Sequence, residues 1–205
     1  MCLWKLPTMK KILILGVIVI HFVACNREDT RPGLLYLDNI IAGESTGAGI
    51  KYSGLINDTL LFDFPSSSTS RIIDVNDDDI GDFKLSFSGT ASPGHANSRN
   101  SIVALENSAI AIKDIENLIT DTISRYDTID NNLNWICDTC IIYNYYWDVS
   151  GNSSETGLWN NVKDKFIGIR IIIDDNTLYG WIRIELNNGW NLTLIDYAST
   201  IGYEN

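Results

Sequence analysis

Histidine is almost missing from this chain of 205 residues: only His21 and His95 are present. Serine–histidine or cysteine–histidine catalysis would therefore have to use one of these two. His21 lies in an N-terminal apolar run, and His95 follows Pro93-Gly94, a turn sequence. Positive charge is also scarce, with 15 Lys and Arg against 26 Asp and Glu and a formal net charge of −11. Such a surface repels nucleic acid and anionic lipid headgroups, so neither is an expected partner. There is no His-Glu-x-x-His, no Gly-x-Ser-x-Gly, no phosphate-binding glycine loop and no dinucleotide fingerprint. A hydrolase built on paired carboxylates is a third-rank reading, because spacing in sequence does not fix their separation. The expectation is a protein that is not an enzyme.

No apolar run is long enough to span a bilayer. The longest is about a dozen residues, Ile12 to Val23, interrupted by Gly16 and His21, where a spanning helix needs about 20. It follows Lys10-Lys11 and ends at Phe22-Val23-Ala24-Cys25, which resembles a bacterial lipoprotein signal with its lipobox. Residues 1–24 are expected to be removed, with Cys25 the acylated first residue of the mature protein. Removing Lys5, Lys10 and Lys11 with no acid takes the formal charge from −11 to −14. Asn26, where an inner-membrane retention signal would have Asp, favours the outer membrane, on its periplasmic or cell-surface face. Residues 25–33 read as a polar tether ending in Pro32-Gly33.

Residues 34–205 are long enough for one core, and their pattern is β punctuation: short runs of Ile, Val, Tyr, Trp and Thr between Asn, Asp, Gly and Ser. Strands are predicted over 34–40, 49–55, 59–64, 71–74, 83–88, 102–106, 109–113, 141–149, 166–173, 178–186 and 191–197. Their even spacing predicts an all-β fold, a single antiparallel β-sandwich with a jelly-roll and an Ig-like arrangement both open. Ile115, Leu118, Ile119 and Ile123 have helical spacing and read as a short helix or an irregular crossover. Ser66 to Ser70 reads as a loop. Asp174-Asp175-Asn176-Thr177 and Asn187-Asn188-Gly189 are turns between C-terminal strands, and Arg183 and Glu185 alternate with Ile182, Ile184 and Leu186 as if one face were buried and one wet.

Phe166-Ile167-Gly168-Ile169-Arg170, Tyr179-Gly180-Trp181-Ile182-Arg183-Ile184 and Leu194-Ile195-Asp196-Tyr197-Ala198, with Asp74 to Phe83 upstream, resemble phrases shared by uncharacterised secreted and surface lipoproteins of Bacteroidetes-type bacteria. The resemblance covers about residues 70 to 200. It implies architecture and address, and carries no catalytic residues.

Three constellations could carry chemistry. Asp74, Asn76, Asp78 and Asp82, with the carbonyl of Ile80, fall at positions 1, 3, 5, 9 and 7 of a calcium loop, so calcium is the expected cofactor. Position 6 departs from the pattern: Asp79 stands where such loops use glycine for a sharp turn, and Gly81 comes two residues later. A bare solvated acidic loop is the alternative. Cys137 and Cys140 have only each other as partners once Cys2 and Cys25 are accounted for, and read as a loop disulfide ahead of a redox pair, a zinc knuckle or free thiols. Tyr143, Tyr145 and Trp147 alternate onto one face of a strand; the simplest reading is core packing, and a glycan-binding platform is the other. The functional expectation is an outer-membrane-anchored lipoprotein with a non-enzymatic binding or envelope-structural role, partnered by a glycan or an envelope protein.

Overall fold

The structure is a computed structural model that describes residues 36–202; the expected signal segment, Cys25 and the tether lie outside them. The described residues form sixteen strands and no helix. In chain order these are β1 (Asn39–Ile41), β2 (Ile50–Tyr52), β3 (Asp58–Leu60), β4 (Ser66–Ile73), β5 (Phe83–Ser92), β6 (His95–Ala104), β7 (Ser108–Asp114) and β8 (Ile119–Thr120). The chain continues through β9 (Ile123–Ser124), β10 (Thr128–Asp130), β11 (Trp135–Ile136), β12 (Thr139–Asp148), β13 (Ser153–Gly157), β14 (Lys165–Ile173), β15 (Asn176–Asn187) and β16 (Asn191–Thr200).

Two layers follow from the pairing. The first is ordered β2-β16-β15-β14-β7, with β3 also on β16 and β9 also on β14. The second runs β8-β12-β6-β5-β4, with β13 on β12, and is joined to the first where β7 pairs with β8. Pairing is antiparallel throughout except between β12 and β8. The fold is the expected antiparallel β-sandwich. Its main core lies between the layers, with Ile167, Ile169, Ile182 and Ile184 from the first meeting Phe83, Phe87, Ile102 and Ile142 from the second.

The first layer is buried on its outer face too. β1 and β10 pair with each other over it, and Ile40 and Ile129 meet Phe166, Tyr179 and Trp181 in a second apolar cluster. The one-face-wet pattern read from the C-terminal strands therefore holds only for the later part of β15. At its start, Tyr179 and Trp181 point into the second cluster while Leu178 and Ile182 point into the first. This double burial explains the glycines of the C-terminal phrases. A Cβ on Gly180 would lie 2.6 Å from the Ala198 carbonyl oxygen, and one on Gly168 would lie 2.7 Å from Ile123 Cδ1.

Two local readings are corrected, and a third is decided in favour of one of its two alternatives. Ser66 to Ser70, taken as a loop, is most of β4, an edge strand; its small polar residues carry no burial signal because the strand is largely exposed. His95 opens β6 instead of lying in a turn, with Gly94 at φ +105° making the reversal before it. Residues 115–123 are the irregular crossover, with Leu118 at φ +53° and the two short strands β8 and β9 in place of a helical turn. Asp114 caps the start of that crossover by accepting the amide N–H groups of Glu116 and Asn117.

Candidate functional sites at the two ends of the sandwich

The acidic segment joins the end of β4 to the start of β5, and its backbone follows from its aspartates. Asp77 and Asp79 hold φ of +67° and +68°, a region that Asp tolerates better than most residues. The left-handed turn thus stands at position 6, where calcium loops place it, with Asp79 in the role of glycine. The Asp74 carboxylate accepts the amide N–H groups of Asp77, Asp78 and Asp79, and the Asp78 carboxylate accepts that of Ile80. Asp82 is buried and accepts the Val75 N–H at 2.7 Å. Burial foremost, and then the charges of Asp78 and Asp74, push the Asp82 carboxyl up to about 6 against the pull of Val75.

Asn76, Asp78, Ile80 and Asp82 line one cleft of about 190 Å³, together with Glu106 and Asp174. Asp74, the fifth expected ligand, borders a neighbouring cleft with Asp77. Among the described residues no group of three or more His, Cys, Asp or Glu side chains is gathered as a metal cage. The donor set is all oxygen, which suits calcium, and each carboxylate oxygen that accepts one N–H keeps a further lone pair. Lys51 anchors the loop from outside, 2.7 Å from Asp77 and donating to the Asn76 carbonyl. Tyr197 donates to the Asp74 carbonyl, and burial raises its phenol above the usual range.

The expected disulfide is not formed. Cys137 is exposed in the bend after β11, whereas Cys140 sits in β12 fully inside the main core, and both thiols are free. Three residues of separation carry the chain from outside to inside, so one sulfur faces water and the other faces Ile142 and its neighbours. Burial, helped by Asp138, pushes the Cys140 thiol up to about 12, which keeps it protonated and unreactive.

The aromatic row is graded in exposure. A bulge between Ile141 and Tyr143 puts both Ile142 and Tyr143 inside, and Tyr143 is only 2% exposed. Tyr145 is partly buried against Trp190, ring centroids 6.3 Å apart, and Trp190 lies 4.7 Å from Phe62. Only Trp147, at the strand's end, is exposed, so the three side chains do not form one open platform. On the opposite face Tyr146 is exposed and packs edge-on to His95, whose Nε2 is 2.9 Å from Asn97 Nδ2.

A fourth constellation was missed in the sequence. Asp196 is buried on β16, gripped by the Arg183 guanidinium through both carboxylate oxygens, and accepts the Tyr52 hydroxyl at 2.7 Å. Arg125 pairs with Asp164, which also approaches Arg183 at 3.8 Å, and the Arg125 guanidinium holds the Asp164 carboxyl below the usual range. The available signal was the C-terminal phrase itself. An even hairpin closing Asn187 on Asn191 would set Arg183 opposite Ile195, but a bulge between Arg183 and Ile184 moves the partner to Asp196. These charges staple strands together.

No family model, no curated protein and no solved structure matches this chain. Its class therefore rests on the architecture alone, an antiparallel all-β sandwich with one layer covered on both faces.

Proposed function

We propose that this protein is a cell-envelope lipoprotein of the Bacteroidetes type, held in an outer membrane through acylated Cys25, with a calcium-stabilised sandwich that acts as a non-enzymatic binding or structural module. The observation that carries the reading is the sequence Phe22-Val23-Ala24-Cys25 behind Lys10-Lys11, followed by a polar stretch and then a single folded body. The use of the charged groups supports the non-enzymatic part: Asp74, Asp114, Asp130 and Asp148 accept amide N–H groups of their own turns, and Asp196 is locked to Arg183. Calcium is supported by the ligand order, by the Asp79 turn and by Asp82, whose buried carboxyl gains from a neighbouring cation. Feeding cells a palmitate analogue tests the anchor. Label should appear on the wild-type chain and vanish in Cys25→Ser; label on both would sink the proposal.

A second reading, a glycan-binding surface lipoprotein, is favoured by the exposed Trp147 alone, since Tyr143 and Tyr145 serve the core. A glycan array with wild type and Trp147→Ala separates the two: a signal lost in the variant selects the glycan reading.

A further inference from the structure

The layers are joined on one side through β7 and β8, and on the other they end at β3 and β4 without pairing. Among the described residues β4 forms a ladder only with β5, so its other edge presents alternating N–H and C=O groups along an eight-residue strand. Natural edges of that length usually carry a charge, a proline or a bulge against unwanted pairing. Ser66-Ser67-Ser68-Thr69-Ser70 carries none of these, and Arg71 is paired across the slit with Asp58 of β3. Beside that pair a cleft of about 500 Å³ opens between the layers, walled by Ile56, Ile72 and Tyr197 and by Asp58, Asp74 and Asp77. Ile72 is 52% exposed, and Leu61 and Phe64 in the β3–β4 connection are exposed as well.

We infer that the slit is a strand-addition site: an extended segment of a partner protein, alternating apolar and basic residues, pairs with the free edge of β4 and lays its side chains across the cleft. Main-chain bonds to Ser66–Ile73 would give the affinity, and alternate side chains the selectivity. Apolar residues would cover Ile56 and Ile72. Basic residues would face the three aspartates: Arg71 and Lys51 hold Asp58 and Asp77 through pairs open to water, and Asp74 has only amide partners while the loop holds no calcium. The choice of a basic partner over a second copy follows from charge: the chain carries −11, and two such surfaces repel. The inference rests on the reading of this protein as a binding module and gives that module a site and a partner chemistry.

The test uses the purified protein with two synthetic probes, acetyl-(Val-Lys)4-amide and its charge-reversed counterpart acetyl-(Val-Glu)4-amide, read by amide hydrogen exchange. The lysine peptide at about 1 mM should slow exchange across residues 66–73 by about tenfold or more, while the glutamate peptide should leave them unchanged. Ile72→Lys, at an exposed site, should keep the melting temperature and weaken the lysine peptide by about tenfold. Absence of protection in 66–73, or equal protection by both peptides, overturns the inference. So does protection without peptide that grows with protein concentration, which would make a second copy the occupant, or without peptide at all dilutions, which would make it a segment of this chain. Capture of a glycan or envelope protein with 66–73 still exchanging freely would overturn the slit and leave the binding-module reading standing.

Discussion

Two ends of one strand show how differently the same core can be closed. Phe83 starts β5 beneath a loop that holds Asp74, Asp77, Asp78, Asp79 and Asp82; about 20 Å further along, Gly89 lies against Trp190, which packs on Phe62 and Tyr145. At the aromatic end, apolar area does the work, and Asn100, fully buried, ties the Gly189 carbonyl of the Asn188-Gly189 turn to β6. At the acidic end the backbone is bonded as well, yet the amide bonds to Asp74, Asp78 and Asp82 gather carboxylates into one loop. On the proposed function, the aromatic end is insensitive to changes of solution, and the acidic end responds to protons and cations.

The largest expected effect comes at the aromatic end. Trp190→Ala should lower stability by about 3 kcal/mol, since a large, partly buried aromatic is removed from the seam between the layers. Its loss should be the same in calcium and in chelator, as denaturant unfolding would reveal. Asp82→Asn should act in the opposite direction at the acidic end. In chelator near neutral pH it should stabilise by about 2 kcal/mol, because the charge is removed and Asn can still accept the Val75 N–H. In calcium that gain should shrink or reverse.

The pH dependence follows from the same group. Asp82 has its carboxyl raised to about 6 in the folded protein, so between the ordinary aspartate range and 6 the folded state binds the extra proton. Its contribution is therefore fully present below about 4 and is lost as pH rises through 6. Chelated wild-type protein should show this loss in urea unfolding between those limits, and Asp82→Asn should not. Gly189→Ala should cost about 1–2 kcal/mol, because φ is +75° and a Cβ would lie 2.6 Å from Tyr143 Cε1. Smallest is Trp147→Ala, expected within about 0.5 kcal/mol of wild type, since this side chain is exposed at the strand's end.

Much of the sandwich was legible in the sequence because burial writes itself as alternation: β14, β15 and β16 fall close to their predicted spans, with Asp174 and Asp175 at positive φ between the first two. What the sequence hid is what burial does not mark. Ser66 to Ser70 is strand by hydrogen bonding alone. Trp181 and Arg183, on one side of β15, meet an apolar cover and a buried aspartate that only the tertiary fold supplies, and single-residue bulges move Asp196 opposite Arg183 and turn both Ile142 and Tyr143 inward. For the acidic loop the sequence named Asp74, Asn76, Asp78, Ile80 and Asp82. It could not tell that Asp79 would take the left-handed turn or that Asp82 alone would be buried.

The dependence of the acidic end on a cation is tested most directly by thermal melting at pH 7.5 in about 10 mM calcium against chelator. For a site in the range 10⁻⁴ to 10⁻³ M the wild-type melting temperature should rise by about 3 to 10 °C, whereas Asp82→Asn should hardly move. Equal melting temperatures of the wild-type protein in the two solutions would contradict the account.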